Sequence, residues 1–96
     1  MTLRNDIATH TCDAFTLSVE GTRQGLCFVH QDVRSYSAAT RRATEALLSS
    51  WDWLELLVAV EPSNSQLIKY SALYGFKYSY SQTSPDGVEY HILSRR

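Results

Sequence analysis

The sequence predicts a small α+β layered domain, a mixed α/β sheet with helices on it, and three observations in its second half carry that expectation. Leu56-Leu57-Val58-Ala59-Val60 is a continuous apolar run, which suits a strand covered on both faces. Ser63 and Gln66 have the spacing of a capping box, so a helix is expected to start there. Gly75 ends it, because glycine takes the left-handed closing conformation without steric cost. Phe76, Tyr78 and Tyr80 then alternate, as do Val88, Tyr90 and Ile92, on either side of the turn signal Pro85-Asp86-Gly87.

The elements before and between these follow in order. Leu3 and Ile7 are the only anchors in residues 1–11, which read as a loose N-terminal arm or a short helical turn. Phe15, Leu17 and Val19 alternate with Thr16, Ser18 and Glu20, the pattern of a half-buried strand over Ala14–Glu20. Gly21 to Gly25 reads as a turn, and Leu26 to His30 as a more fully buried strand. A helix is expected from about Ser37 to Ser50, with Ala39, Ala43, Ala46, Leu47 and Ser50 forming a narrow inward face. The indoles of Trp51 and Trp53 are expected to plug the end of the core. In the second helix Leu67, Ile68, Ser71 and either Tyr74 or Ala72 point inward, and Lys69 outward.

The expected order is therefore strand, strand, helix, strand, helix, strand, strand, with about five strands and two main helices. A buried strand, a helix and a second buried strand imply a parallel crossover, which is right-handed in nearly all cases.

Composition bounds the function. A chain of 96 residues with 44% hydrophobic content suits one small globular domain. The formal net charge of -1 argues against a generalised attraction to nucleic acid or membranes. Cys12 and Cys27 make no disulfide framework, and Cys27, inside Leu26-Cys27-Phe28-Val29, reads as a reduced core thiol. The opening MTLRNDIATHT has no apolar signal core, so a cytosolic location is expected. His10, His30 and His91 are scattered without paired metal spacing, and no metal site is expected. His30 reads as a hydrogen-bonded structural residue. Arg34, Arg41, Arg42, Arg95 and Arg96 with Tyr78, Tyr80 and Tyr90 would suit single-stranded nucleic acid only if the tyrosines were exposed. Alternation assigns those tyrosines to the core face with Phe76 and Ile92.

The order of buried strand, capped helix, Gly75-Phe76 and closing hairpin, with Asn64 just after the strand, resembles the C-terminal half of the GNAT N-acetyltransferase superfamily. The resemblance spans Phe15 to Leu93. It implies a GNAT-like sheet and a candidate acetyl-CoA site. That family holds the cofactor's pyrophosphate on backbone amides of a Gln/Arg-x-x-Gly-x-Gly/Ala loop at a helix N-terminus, where free N–H groups face the anion. The matching stretch here is Gln31 to Ala39, which places Val33, Arg34, Ser35, Ser37, Ala38 and Arg41, together with Asn64, at the cofactor-binding positions. It contains no glycine, and none occurs between Gly25 and Gly75. Side chains should therefore narrow the approach to the amides, and Asp32 adds repulsion against a diphosphate.

The family's acid–base chemistry is also altered. Its tyrosine four residues before the Gly of Gly-Phe is replaced by Ser71, with Tyr70 and Tyr74 on either side. Successive helical residues differ by roughly 100°, so neither tyrosine takes its place directly. Tyr70, Tyr74 and Glu61, which follows the central strand, are the catalytic candidates if the chain is an enzyme. The family's first strand and first two helices have no counterpart before Phe15.

Cys27-Phe28-Val29, Gln31-Asp32-Val33, the basic helix, the tryptophans and the terminal Asp86-Gly87 hairpin are similar to the acetyltransferase-like proteins of short-tailed bacteriophages. That similarity implies a non-catalytic protein of the host cytoplasm or the virion. It would bind a phage structural protein or a host protein and need no cofactor. A separate reading is a plain dimerising module, which draws on the exposed edge strands that a short mixed sheet leaves available. The alternative is a small acetyl-CoA-dependent N-acetyltransferase acting on a protein amine.

Overall fold

Phe15, Leu17 and Val19 form the buried face of a strand in the computed structural model, which describes residues 5–22 and 25–95. This strand, β2 (Phe15–Gly21), lies between β1 (Asn5–Thr11) and β3 (Cys27–Val33), and both pairings are antiparallel. The helix α1 (Ala38–Ser50) follows. These elements belong to the first of two compact units, Met1–Leu54 and Glu55–Arg96. The second contains β4 (Leu56–Val60), α2 (Ser65–Ala72), β5 (Lys77–Thr83) and β6 (Glu89–Ser94), with β6 paired antiparallel to both β4 and β5. Among the described residues the chain is thus mixed α+β, with two helices and six strands.

The additional strand is β1. Residues 5–11 were expected to form a loose arm or helical turn, and they pair with β2 from Asn5↔Gly21 to Thr11↔Thr16. Their apolar residues have no period because Ile7 sits at a shift in register between Asp6 and Ala8. Backbone pairing, rather than side-chain alternation, makes this strand. Leu3 lies outside the described residues.

α1 begins as expected, with the Ser37 Oγ accepting from the Thr40 amide at 3.1 Å. Such a cap contributes about 1 kcal/mol. The buried face is not the alanine face, however. Thr40, Thr44 and Leu48 are buried, whereas Ala39, Ala43, Ala46 and Ser50 are exposed and Leu47 is half-buried. Hydroxyl chemistry accounts for the difference. Thr40 Oγ1 donates to the Ser35 carbonyl at 2.7 Å, and Thr44 Oγ1 donates to the Thr40 carbonyl at 2.8 Å. Thr44 Oγ1 also accepts from Gln31 Nε2 at 2.9 Å, tying the helix to β3. Satisfied hydroxyls can be buried without a desolvation penalty. After the helix, Trp51 is half-buried but Trp53 is 71% exposed, so the second indole does not plug the core.

In the second unit Leu56, Leu57, Val58 and Val60 are buried in β4, as their apolar run requires. The cap of α2 is shifted by one residue from the expected Ser63–Gln66 box. Asn64 accepts from the Leu67 amide at 3.1 Å, the same three-residue reach. The helix closes at Gly75, φ +86°, with Phe76 N–H donating to the Ser71 carbonyl and Gly75 N–H to the Ala72 carbonyl. That pair of bonds is a Schellman motif. Ser71 and Tyr74 face inward, Ala72 and Lys69 outward, and Leu67 and Ile68 are half-buried.

The hairpin turns where expected, with Gly87 N–H donating to the Ser84 carbonyl at 2.9 Å and Gly87 at φ +87°. The Ser84 hydroxyl donates to Asp86 and holds its carboxyl below the usual aspartate range. The strands differ from expectation. Ser79 is an extra residue in β5, so Tyr78 opposes Leu93 while Tyr80 opposes Ile92. Opposed residues share a face and adjacent residues do not, so the two tyrosines lie on opposite faces. Both are exposed, Tyr78 at 59% and Tyr80 at 39%, and Tyr90 is half-buried. The core assignment of this trio is corrected; Phe76 and Ile92 are buried as expected.

Candidate functional site

The phosphate-binding candidates of the first unit lie where β3 ends and α1 begins, and most of their polar groups are already engaged. The amides of Arg34 and Ser35 both donate to the Ala14 carbonyl, at 2.7 and 3.1 Å. The Arg34 guanidinium reaches back across the β1–β2 turn. Its Nη2 donates to the Cys12 carbonyl at 2.6 Å, its Nε to the Asp13 carbonyl at 3.2 Å, and its Nη1 to Thr16 Oγ1 at 3.2 Å. Asp32 adds a contact at 3.4 Å and keeps 80% of its side chain exposed. An arginine fork bonded to several groups of one turn is a strut for that turn.

Ser37 caps α1, and the Ser35 carbonyl accepts from Thr40. Val33 is half-buried opposite Phe15, while Ala38 and Arg41 are exposed in the first turn of the helix. A diphosphate at this loop would have to displace the Ala14 carbonyl from two amides. It would also face the Asp32 carboxylate, an unfavourable neighbour for an anion.

Among the second unit's candidates, Tyr70 and Tyr74 are brought together one helical turn apart. Tyr74 OH donates to Tyr70 OH at 3.1 Å, and the rings meet edge to face at 5.2 Å. Tyr74 is buried and Tyr70 half-buried, so the pair packs the inner side of α2. Glu61 is exposed in the β4–α2 loop, where its carbonyl accepts from the Asn64 amide at 2.9 Å. Asn64 is occupied as the helix cap. Each group so bonded does local structural work.

The remaining candidates disperse. His30 Nε2 lies 3.4 Å from Glu20 Oε2 on an exposed part of the β2–β3 pair, rather than in a buried run. Cys27 is a buried free thiol, as its apolar neighbours imply, and Cys12 a half-buried one. Among the described residues there is no group of three or more potential metal ligands. Nor is any helix long and apolar enough to cross a membrane. Of the basic residues considered for nucleic acid, Arg34 is engaged in the first unit, and Arg96 lies outside the described residues.

Two features escaped sequence reasoning. Nothing in the spacing of Arg34 from Cys12, Asp13 and Thr16 signals a clamp, because strand pairing creates that proximity. The second is a cluster on β5 and β6. Tyr78 OH is 2.9 Å from Ser81 Oγ, and its ring meets His91 edge to face at 5.0 Å. The alternation Tyr-Ser-Tyr-Ser hid it by suggesting a regular strand. Comparison with protein-family models, curated proteins and solved structures finds no match to this chain.

Proposed function

We propose that this chain is a non-catalytic, GNAT-like bacteriophage protein that acts by binding another protein, in virion assembly or as a virion component. The observation that carries the non-catalytic part is the double donation from the Arg34 and Ser35 amides to the Ala14 carbonyl. A pyrophosphate cradle works through main-chain N–H groups that face the ligand. Here two of the positions assigned to that duty are closed by the protein's own turn, and the nearest guanidinium is bonded to the same turn. The mutually bonded pair of buried Tyr74 and half-buried Tyr70 accords with this reading, since a proton donor to a departing thiolate must reach the substrate. The phage assignment rests on the sequence resemblance.

Calorimetric titration with acetyl-CoA tests the proposal. No saturable heat is expected at micromolar to millimolar ligand. Micromolar binding that Arg41→Ala weakens would instead favour the N-acetyltransferase reading with a protein amine as acceptor. Arg41 is the suitable probe because its side chain is exposed and lies outside the Arg34 clamp. Portal, capsid or tail genes beside the coding sequence are expected; toxin or defence genes there would argue for the acetyltransferase.

A further inference from the structure

Among the described residues β1 is paired with β2 and β5 with β6, and both of these strands carry a bulge. In β1 the register shifts at Ile7, between the pairs Asp6↔Glu20 and Ala8↔Val19. In β5 it shifts at Ser79, between Tyr78↔Leu93 and Tyr80↔Ile92. We infer that these bulges close β1 and β5 to further strand pairing, so that neither a second copy nor another chain adds a strand to them through main-chain hydrogen bonds.

The composition of β5 gives it little other protection. Lys77-Tyr78-Ser79-Tyr80-Ser81-Gln82-Thr83 contains no proline or glycine, has its single charge at the first position, and is exposed at all seven residues. Tyrosine and threonine favour extended backbone. An antiparallel second copy centred on Tyr80 would set Lys77 against Thr83 and Tyr78 against Gln82, with no like charges opposed. Such an edge is ordinarily a template for association, and natural edges are guarded by charge, proline or bulges. Within β5 the charge is confined to the first residue, Lys77, which leaves the bulge as the device that acts along the strand.

Geometry explains how it acts. Along an antiparallel strand the outward N–H and C=O groups come from alternate residues. The regular ladder of β5 after the bulge is Tyr80 to Thr83, and that of β1 is Ala8 to Thr11. An incoming strand would meet about two outward-facing residues on either before the break, where a bulge also bends the strand and raises its twist. Too few consecutive bonds remain to offset the ordering of a new strand.

Deleting the extra residue tests this directly. Removal of Ser79 gives Lys77↔Ser94 and Tyr78↔Leu93 the same offset as the four pairs that follow, so β6 keeps all its partners. Removal of Ile7 does the same for β1 against β2. Sedimentation velocity is expected to show a single concentration-independent species for the wild type. Each deletion variant should show a species of at least twofold greater mass that grows with concentration. Deletion variants with wild-type circular dichroism and cooperative melting that nonetheless stay monomeric would overturn the inference. If neither variant folds, amide hydrogen exchange of the wild type decides. Unchanged exchange at β1 and β5 between dilute and concentrated protein supports closed edges, and slowing confined to either strand at high concentration refutes them.

Discussion

Arg34 shows how one side chain can change roles when its neighbours are known. In the chain it stands beside a presumptive phosphate loop, and in the structure it binds the Cys12 and Asp13 carbonyls and Thr16. A hydrogen bond of this kind contributes about 0.5–1.5 kcal/mol net, with charged donors toward the upper end. Partial exposure of the guanidinium lowers that value. Arg34→Ala is therefore expected to destabilise the protein by about 2 kcal/mol in urea titration. Arg34→Lys should recover less than half of the loss, because a single ammonium cannot span three acceptors in fixed directions. A cost below about 0.5 kcal/mol for Arg34→Ala would show that the clamp is dispensable and leave the guanidinium available to an anion.

At the scale of elements, legibility followed the kind of force that makes each one. β2 and β4 were readable because burial of Phe15, Leu17 and Val19, or of Leu56, Leu57, Val58 and Val60, writes itself as alternation or as an apolar run. The start of α1 at Ser37 and the close of α2 at Gly75 were readable because caps depend on one residue type at one place. β1 was not, since main-chain pairing has no side-chain signature. The face of α1 was misread by about one residue, roughly 100°, because apolarity favoured Ala39, Ala43 and Ala46 over threonines. The hydroxyls of Thr40 and Thr44 each gain a partner beyond the helix, Ser35 and Gln31, that helical spacing does not reveal. Two substitutions separate the faces. Thr44→Val keeps the volume but removes the partner of Gln31 Nε2, and should cost about 1–2 kcal/mol. Ala43→Gln, one residue earlier on the exposed side, should change stability by no more than about 0.5 kcal/mol. The reverse ranking in thermal or urea unfolding would restore the alanine face to the interior.

For the molecule as a whole, the question is whether folding and cofactor binding are linked. Any ligand that binds the native state alone raises stability by RT ln(1 + [L]/Kd), which is about 2.7 kcal/mol at a hundredfold excess over Kd. For a domain of this size each kcal/mol moves the melting temperature by about 4–8 °C. A chain that held acetyl-CoA at micromolar affinity should thus melt about 10 °C higher or more in millimolar ligand. Asn64, Tyr70, Tyr74 and Ser37 were legible as candidates only through the family resemblance. Their employment was not, because Asn64 and Ser37 cap helices and the tyrosines bond each other only in three dimensions. With those groups committed and the Arg34 and Ser35 amides on Ala14, the expected shift with acetyl-CoA or coenzyme A is within about 1 °C of zero. Differential scanning calorimetry measures it without presupposing a site. A rise approaching 10 °C would mean that the native protein binds the ligand, whichever groups hold it, and would overturn the non-catalytic reading.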